Sequence, residues 1–477
     1  MFSGKIFINL LTLFLTFSGF NCDKSIVKTV EFVNDNCVIS SNLKEEIRNY
    51  QPIVNKIIKT VTEGKLKGQT WQELATFIDK FGSRISGSKN LENAIDYMLQ
   101  RSKTFDLDNV HGEPVTVPHW VRGKEEAFLL KPRFFKLNIL GLGGSIGTPK
   151  EGITAPVIVV ESFDELKNRS TEAKGKIVVF AEKWVSYGVT VQYRQYAAVR
   201  AAEVGALASL VRSITPFSIN SPHTGWQDYS NNVTKIPTAS ITVEDAEWLL
   251  RMDRKGIPIE IKLYMEAETL PSVESRNTVV EVTGHEEPSK FVLVSGHLDS
   301  WDVGQGAMDD GAGAFISWYS TVVLKKLMLR PKRTVRAVLW TGEEEGLIGA
   351  FAFRESHNKS DIVVLMESDE GTFSPQGLIF KGSPEAKCII EEILKLFEPL
   401  GTNQLELSND VGSDIMVWAN DDVPLASLKN ANERYFWFHH SDGDTMLVED
   451  SDTLDKCTAF WTSVAYILAD MSITLPR

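Results

Sequence analysis

Cysteine is scarce in this chain, with four in 477 residues: Cys22, Cys37, Cys388 and Cys457. That excludes a small disulfide scaffold, in which cross-links stand in for a core. Basic charge is also short. Lys and Arg number 50 against 63 Asp and Glu, a formal net charge of −13. Nucleic acid and anionic membrane surfaces both reward basic patches, so neither is the expected partner. Beyond the N-terminus, no apolar run is long enough to cross a bilayer.

The long apolar run that does occur, Ile6 to Phe17, follows Lys5 and reads as a secretory signal over residues 1–20. The alternative is an uncleaved N-terminal anchor. A signal puts the chain on the secretory route, as a secreted protein or one held in lysosome, endoplasmic reticulum or Golgi. Sequons at Asn168, Asn232 and Asn358 are then glycan acceptors to expect on the surface. Cys388 and Cys457 lie in segments of helical periodicity, where they either bridge two helices or stay as buried thiols.

At 477 residues the chain is too long for one ordinary core, so two domains are expected. From Asn42 to about Gly64, Leu43, Ile47, Ile53, Ile57 and Val61 recur at helical spacing. Trp71 to Phe81 predicts a second helix stopped by Gly82, and the run from Ser86 opens a third. The middle of the chain, 124–269, reads as a compact α+β insert. Its strands are Phe134–Leu140, Pro156–Glu161 and Lys176–Phe180, and its helices Ala197–Ile214 and Val243–Arg254. After Asn277 strand and helix alternate: strands Val279–Val282, Phe291–Ser295, Thr334–Thr341 and Ile362–Glu367, helices 311–329 and 345–357. That pattern predicts an α/β fold, a mostly parallel sheet with helices on both faces.

Chemistry collects where those strands end. His297 and Asp299 lie in V-S-G-H-L-D-S, Asp309 in A-M-D-D-G-A-G, and Glu343 and Glu344 in W-T-G-E-E-E-G. Asp369 follows in M-E-S-D-E-G, and His440 in F-H-H-S-D-G-D-T. Two imidazoles and three carboxylates are the ligand types that hold a pair of zinc ions. Each piece alone has a plainer reading. The His-Asp pair could sit on the surface, Asp309 and Asp310 could cap a helix, three glutamates are usually a solvated face, and a lone His is usually core. All of them in order at strand ends, where open α/β sheets place their sites, is much harder to produce by accident.

Longer stretches carry a resemblance: K-I-P-T-A-S-I-T-V-E-D-A-E, V-L-V-S-G-H-L-D-S-W-D-V-G-Q-G-A-M-D-D-G, R-P-K-R-T, S-P-H-T-G and Y-F-W-F-H-H-S-D-G-D-T-M. With them the chain resembles the co-catalytic zinc exopeptidases of the aminopeptidase and glutamate carboxypeptidase superfamily. The resemblance implies a zinc exopeptidase catalytic domain over 46–123 and 270–477, interrupted by a protease-associated-like insert over 124–269. It implies a pro-segment over 21–45 and a homodimer. Two Zn2+ per chain are implied, one on His297 and Asp369, the other on Glu344 and His440, with Asp309 bridging. Glu343 becomes the general base and Asp299 supports His297. His439 takes a position where relatives put a tyrosine that polarises the substrate carbonyl. The implied activity is hydrolysis of small peptides, chiefly dipeptides with free termini, by metal-activated water.

Three rival readings compete. Gly143-Gly144-Ser145-Ile146-Gly147 matches a serine-hydrolase elbow, but Thr148-Pro149 follows where the elbow needs a helix. A receptor-like relative without catalysis would have lost ligands or the base, and all are present. A one-zinc acyl-transfer relative would not need Asp309 as a bridge.

Overall fold

The computed structural model describes residues 39–477. The expected signal and all but the end of the expected pro-segment lie outside the described residues. The helix Ser41–Arg48 straddles the boundary at residue 45 and buries Ile47. The helical spacing from Asn42 onward is carried by two helices, not one. Ser41–Arg48 ends at Asn49, and Gln51–Thr62 restarts with Pro52 in its first turn, where a missing N–H costs nothing. Gln69–Phe81 stops at Gly82 as predicted, and Ser88 caps Lys89–Thr104 by accepting the Leu91 amide at 3.1 Å.

Two eight-stranded sheets organise the rest. In the first, Asp108–Val121 pairs antiparallel with Glu268–Val282, which pairs antiparallel with Arg333–Trp340. Then come Glu287–His297, Ile362–Glu367 and Leu425–Asn430, all parallel to Arg333–Trp340. Pro375–Lys381 and Gln404–Leu407 close the far edge. Period-2 alternation sends Val292 and Val294 into the core on one face and Phe291 and Leu293 into the core on the other. Ala312–Leu327 and Ser451–Asp470 pack on the first face, Ile348–Ser356 with Trp418 on the second. The helix Ala312–Leu327 is apolar nearly all round because it lies between sheet and outer helices. Its one ring N–H, on Trp318, donates to Ser102 Oγ at 2.9 Å.

The strands Asp108–Val121 and Glu268–Val282 run on past the first sheet and lead into the second. There Phe135–Leu137 and Ile139–Gly141, read from sequence as one strand, are separate pieces at opposite ends of the strand order. Only Asn138 lies between them, so the sheet curls toward closure. The expected helix Ala197–Ile214 is corrected. The helix is Tyr187–Glu203, and Ala208–Arg212 is a buried strand parallel to Ile177–Phe180. Gly205, at φ +78°, ends the helix, and the alanine-rich composition of the segment concealed that stop.

The elbow at Ser145 is not one. Ser145 is buried, its hydroxyl accepts the Thr238 amide at 3.0 Å, and no helix follows. Cys457 is a free buried thiol, so it does not bridge to Cys388. Asn168, Asn232 and Asn358 are all exposed.

Candidate metal centre

Four parallel strands deliver the site from their carboxyl ends. His297 is the last residue of its strand, the Glu343–Glu345 turn follows Trp340, and Asp369 follows Glu367. Beyond Asn430 the short helix Tyr435–Phe438 carries the chain to His439 and His440. Asp309 stands between two histidines: its Oδ1 is 3.3 Å from His297 Nε2 and its Oδ2 3.3 Å from His440 Nε2. Asp369 Oδ1 lies 3.1 Å from His297 Nε2, and Glu344 Oε2 lies 2.9 Å from His440 Nε2. The result is two donor nests that share one carboxylate. Glu343 belongs to neither. One of its oxygens is 3.9 Å from His297 Nε2, and the other takes a hydrogen bond from Ser413.

His439 stacks on His440 with centroids 3.5 Å apart and brings Nε2 to 3.7 Å from Asp309 Oδ2. It is therefore close enough to group with Asp309 and His440 around one ion, and His297, Asp309 and Asp369 form the other group. Tyr435 also reaches Asp309 with its hydroxyl. The sequence reading did not include it.

The tautomers of the two histidines follow from their partners. His297 Nδ1 faces the Asp299 carbonyl at 2.9 Å, and His440 Nδ1 faces the Thr224 carbonyl at 3.2 Å. A carbonyl only accepts, so each Nδ1 carries the hydrogen, and when the ring is neutral each Nε2 turns a lone pair toward the carboxylates. Lone pairs facing carboxylates repel unless a cation lies between them. Asp309 Oδ2 and Glu344 Oε1 are buried without a hydrogen-bond partner, which fits the same occupant.

The electrostatics agree. Burial pushes the Glu344 and Glu345 carboxyls well above the usual range, and their acidic neighbours push further. Burial does the same to Asp369, against the pull of His297. Burial opposes charge on His297, yet Asp369 and Asp309 hold its pKa well above the ordinary value. Burial takes His440 down to about 3. Bound cations reverse this pattern by favouring ionised carboxylates and neutral imidazoles.

A supporting layer holds these groups, and most of it was not foreseen. Asp299 meets His297 Nδ1 through its backbone carbonyl at 2.9 Å. Its carboxylate accepts the amides of Glu343 and Glu344, both at 3.3 Å, and so positions the glutamate turn. Asp310 does not cap the following helix. It reaches back to accept the His297 amide at 3.0 Å. Room for its carboxylate exists only because positions 296 and 313 are glycine, where an added Cβ would lie 2.3 Å and 2.2 Å from its oxygens. Arg84 is fully buried and donates to the carbonyls of Gly82, Leu298, Gln305 and Gly306, tying down the loop before Asp309. Asp444 accepts three successive amides, Ala307 at 3.0 Å, Met308 at 2.7 Å and Asp309 at 3.2 Å. Its only sequence signal was a place four residues after His440.

The loop between the strands Ala208–Arg212 and Thr238–Ile241 of the second sheet also enters the site. Its His223 Nδ1 lies 2.6 Å from the His439 carbonyl, and the Thr224 amide donates to the His440 carbonyl at 2.9 Å. Asp444→Ala should release the Ala307–Asp309 loop and lower metal retention by about tenfold or more, the usual effect of losing a partner behind the ligands. Metal-buffered titration checks this; unchanged affinity would remove Asp444 from the support of Asp309.

Comparison with known proteins agrees with this geometry. The sequence profile of peptidase family M28 matches residues 277–465, which hold all five residues of the two nests together with Glu343. Carboxypeptidase Q of Xenopus laevis is 55% identical over 437 residues, covering 91% of this chain and 93% of its own. The chain belongs to peptidase family M28. Carboxypeptidase Q of Homo sapiens is 54% identical over 91% of this chain and 92% of its own. Among solved structures, a peptidase M28 precursor from Shewanella amazonensis matches with TM-score 0.85 at 30% identity, over 90% of this chain and 99% of that one. A zinc aminopeptidase from Bacillus subtilis shares the fold, at TM-score 0.65, 18% identity, and 86% and 97% coverage. As an M28 member the chain is a metallo-exopeptidase with co-catalytic metal sites, and its fold joins a mostly parallel sheet to an inserted second sheet.

Proposed function

We propose that this chain is a dinuclear zinc exopeptidase that hydrolyses small peptides, chiefly dipeptides with free termini. One observation carries the reading: Asp309 turns one oxygen to each of two histidines, and Glu343 stands beside the pair without joining either nest. Similarity to carboxypeptidase Q along most of the chain supports the exopeptidase assignment.

His297 and Asp369 would hold one ion, His440 and Glu344 the other, with Asp309 between them. His and carboxylate donors in this number suit zinc. When bound, the ions supply the Lewis acidity that polarises the scissile carbonyl and makes water a competent nucleophile at neutral pH. Glu343 takes the proton from the attacking water and passes it to the departing amine. Ser413, bonded to one oxygen of Glu343, keeps the other aimed at the cleft. His439 lines the cleft and is buried; burial and the neighbouring His440 hold its pKa well below the ordinary value. As a neutral imidazole it donates one hydrogen bond toward the carbonyl oxygen that gains charge. The cleft measures about 530 Å³, within the range of small-ligand pockets, which favours short peptides over protein chains.

The N-terminal apolar run supports a secretory route, and the same reading includes a pro-segment over 21–45, the domain boundaries given above and a homodimer. Metal analysis with a dipeptide panel, run with free and blocked termini, tests the core of it. Two zincs per chain and chelator-sensitive cleavage of free dipeptides are expected. Full activity in metal-free protein would overturn the reading.

A further inference from the structure

We propose that Glu367 positions the general base Glu343 by holding the turn that carries Ser413, which leaves the Ser413 hydroxyl free to bind the Glu343 carboxylate. This rests on the peptidase reading above and names the group behind the base. Ser413 stands at the start of the short helix Asp414–Trp418, in the place where a serine side chain ordinarily accepts a backbone amide of the first turn. Here it makes no such bond. Glu367 supplies the acceptor instead. Its Oε2 takes the Ser413 amide at 2.7 Å and the Ile415 amide at 3.1 Å. The Ser413 hydroxyl turns to Glu343 Oε1, and since a carboxylate only accepts, the hydroxyl donates.

The anchor is set in the sheet. Glu367 is the last residue of the strand Ile362–Glu367, in register with Ser295 and Ser427 of the two flanking parallel strands, and it is fully buried. Its Oε1 has no hydrogen-bond partner among the described residues, so this turn takes the bonds the side chain makes. A buried carboxyl is costly, and holding the turn is the use this one has. The turn is shaped to reach it. Gly412 has φ +70°, and an added Cβ there would lie 2.6 Å from Glu367 Oε2. Asp414 takes no part. It is buried, and neither of its oxygens finds a hydrogen-bond partner among the described residues.

Glu343 is thereby held at both ends. Asp299 accepts its backbone amide at 3.3 Å, and Ser413 binds one carboxylate oxygen. The other oxygen, 3.9 Å from His297 Nε2, is left to take the proton. A glutamate side chain is long and free to turn, so without the hydroxyl its carboxylate can swing away from the attacking water. A displacement of about 1 Å can cost about 100-fold in rate. Glu367 and Ser413 are therefore positioning residues that act through Glu343.

The test measures kcat, KM and zinc content on one dipeptide for zinc-loaded wild type, Ser413→Ala, Ser413→Thr, Glu367→Asp, Glu367→Gln and the Ser413→Ala/Glu367→Asp pair. Ser413→Ala should lower kcat by about 10- to 100-fold, with KM changed by less than about threefold and zinc retained. Ser413→Thr keeps the hydroxyl and should recover most of that loss. Glu367→Asp draws the acceptor back from the turn and should lower kcat in the same way, whereas Glu367→Gln keeps an oxygen at the same reach and should stay within about threefold of wild type. The pair should be no slower than the slower single variant, because both changes break one relay. A Ser413→Ala enzyme with wild-type kcat, a Ser413→Thr enzyme as slow as Ser413→Ala, or zinc loss from Ser413→Ala would overturn the proposal. Losses that multiply in the pair, or a Glu367→Gln enzyme as slow as Glu367→Asp, would remove Glu367 from the relay. Crystals of metal-free wild type and Ser413→Ala need no turnover: the Glu343 carboxylate should keep one orientation in wild type and leave it in the variant, and an unmoved carboxylate would overturn the proposal. Failure of wild type to cut the dipeptide would fall on the peptidase reading, while the crystals would still decide Ser413.

Discussion

Glu343→Gln should keep both metals, still bind peptide and lose turnover by about two to four orders of magnitude, the range for a positioned acid–base group. The substitution keeps the size of the side chain and an oxygen that can accept from Ser413, but an amide cannot take a proton from water. Glu344→Gln should behave differently. Glu344 Oε2 lies 2.9 Å from His440 Nε2, inside a donor nest, and a neutral amide is a poor ligand for a divalent cation. It should lose about one metal per chain, with activity falling as a consequence that added zinc partly restores. Asp299 fixes the turn by accepting the amides of both glutamates, and the two side chains go to different places, Glu344 to His440 and Glu343 to Ser413. Metal analysis beside steady-state kinetics on both variants is the check. Metal loss from Glu343→Gln with retention in Glu344→Gln would exchange the two roles.

The half of the chain that carries the two nests was legible because its signals are local. His297, Glu344 and Asp369 each stand at or just past the end of a short apolar strand whose residues could go nowhere but a buried parallel sheet, and a carboxylate there is costly unless something uses it. The strand Ile362–Glu367 was read with its observed bounds for that reason. The insert was harder. Ala197–Ile214 looked like one helix because alanine-rich sequence hides a helix end. The stop was Gly205, and the residues after it form a strand only because Ile177–Phe180 and Thr238–Ile241 flank them.

What sequence could not show was any contact between distant segments. Arg84 has no periodicity or motif that marks it, and its importance comes from four carbonyls brought to it by folding. His223 and Thr224 lie in the S-P-H-T-G stretch of the insert, which carried the resemblance but pointed to no role. In the structure they back His439 and His440. The insert is therefore part of the metal centre's support, and a change that loosens it should be felt in metal affinity before it is felt in the catalytic sheet.

That dependence bears on the most severe expected effect, at Asp309. Its two oxygens face different histidines at 3.3 Å each, so among the described residues it is the one side chain common to both nests. His440→Ala removes a ligand from one nest only, leaving His297, Asp369 and Asp309 as a three-donor set. That variant should retain about one zinc per chain, as expected of a site that keeps three protein ligands. Asp309→Ala leaves each nest with two donors and removes the negative charge between the ions. It should fall well below one zinc per chain and lose essentially all activity, and excess zinc should not restore it. The fold should survive, because Asp444 holds this loop through the backbone amides of residues 307–309 and not through the Asp309 side chain. Zinc content after dialysis against a metal buffer, with circular dichroism to check folding, distinguishes the two variants. A folded Asp309→Ala protein that kept two zincs would mean that the ions are not bridged and that the two nests are independent.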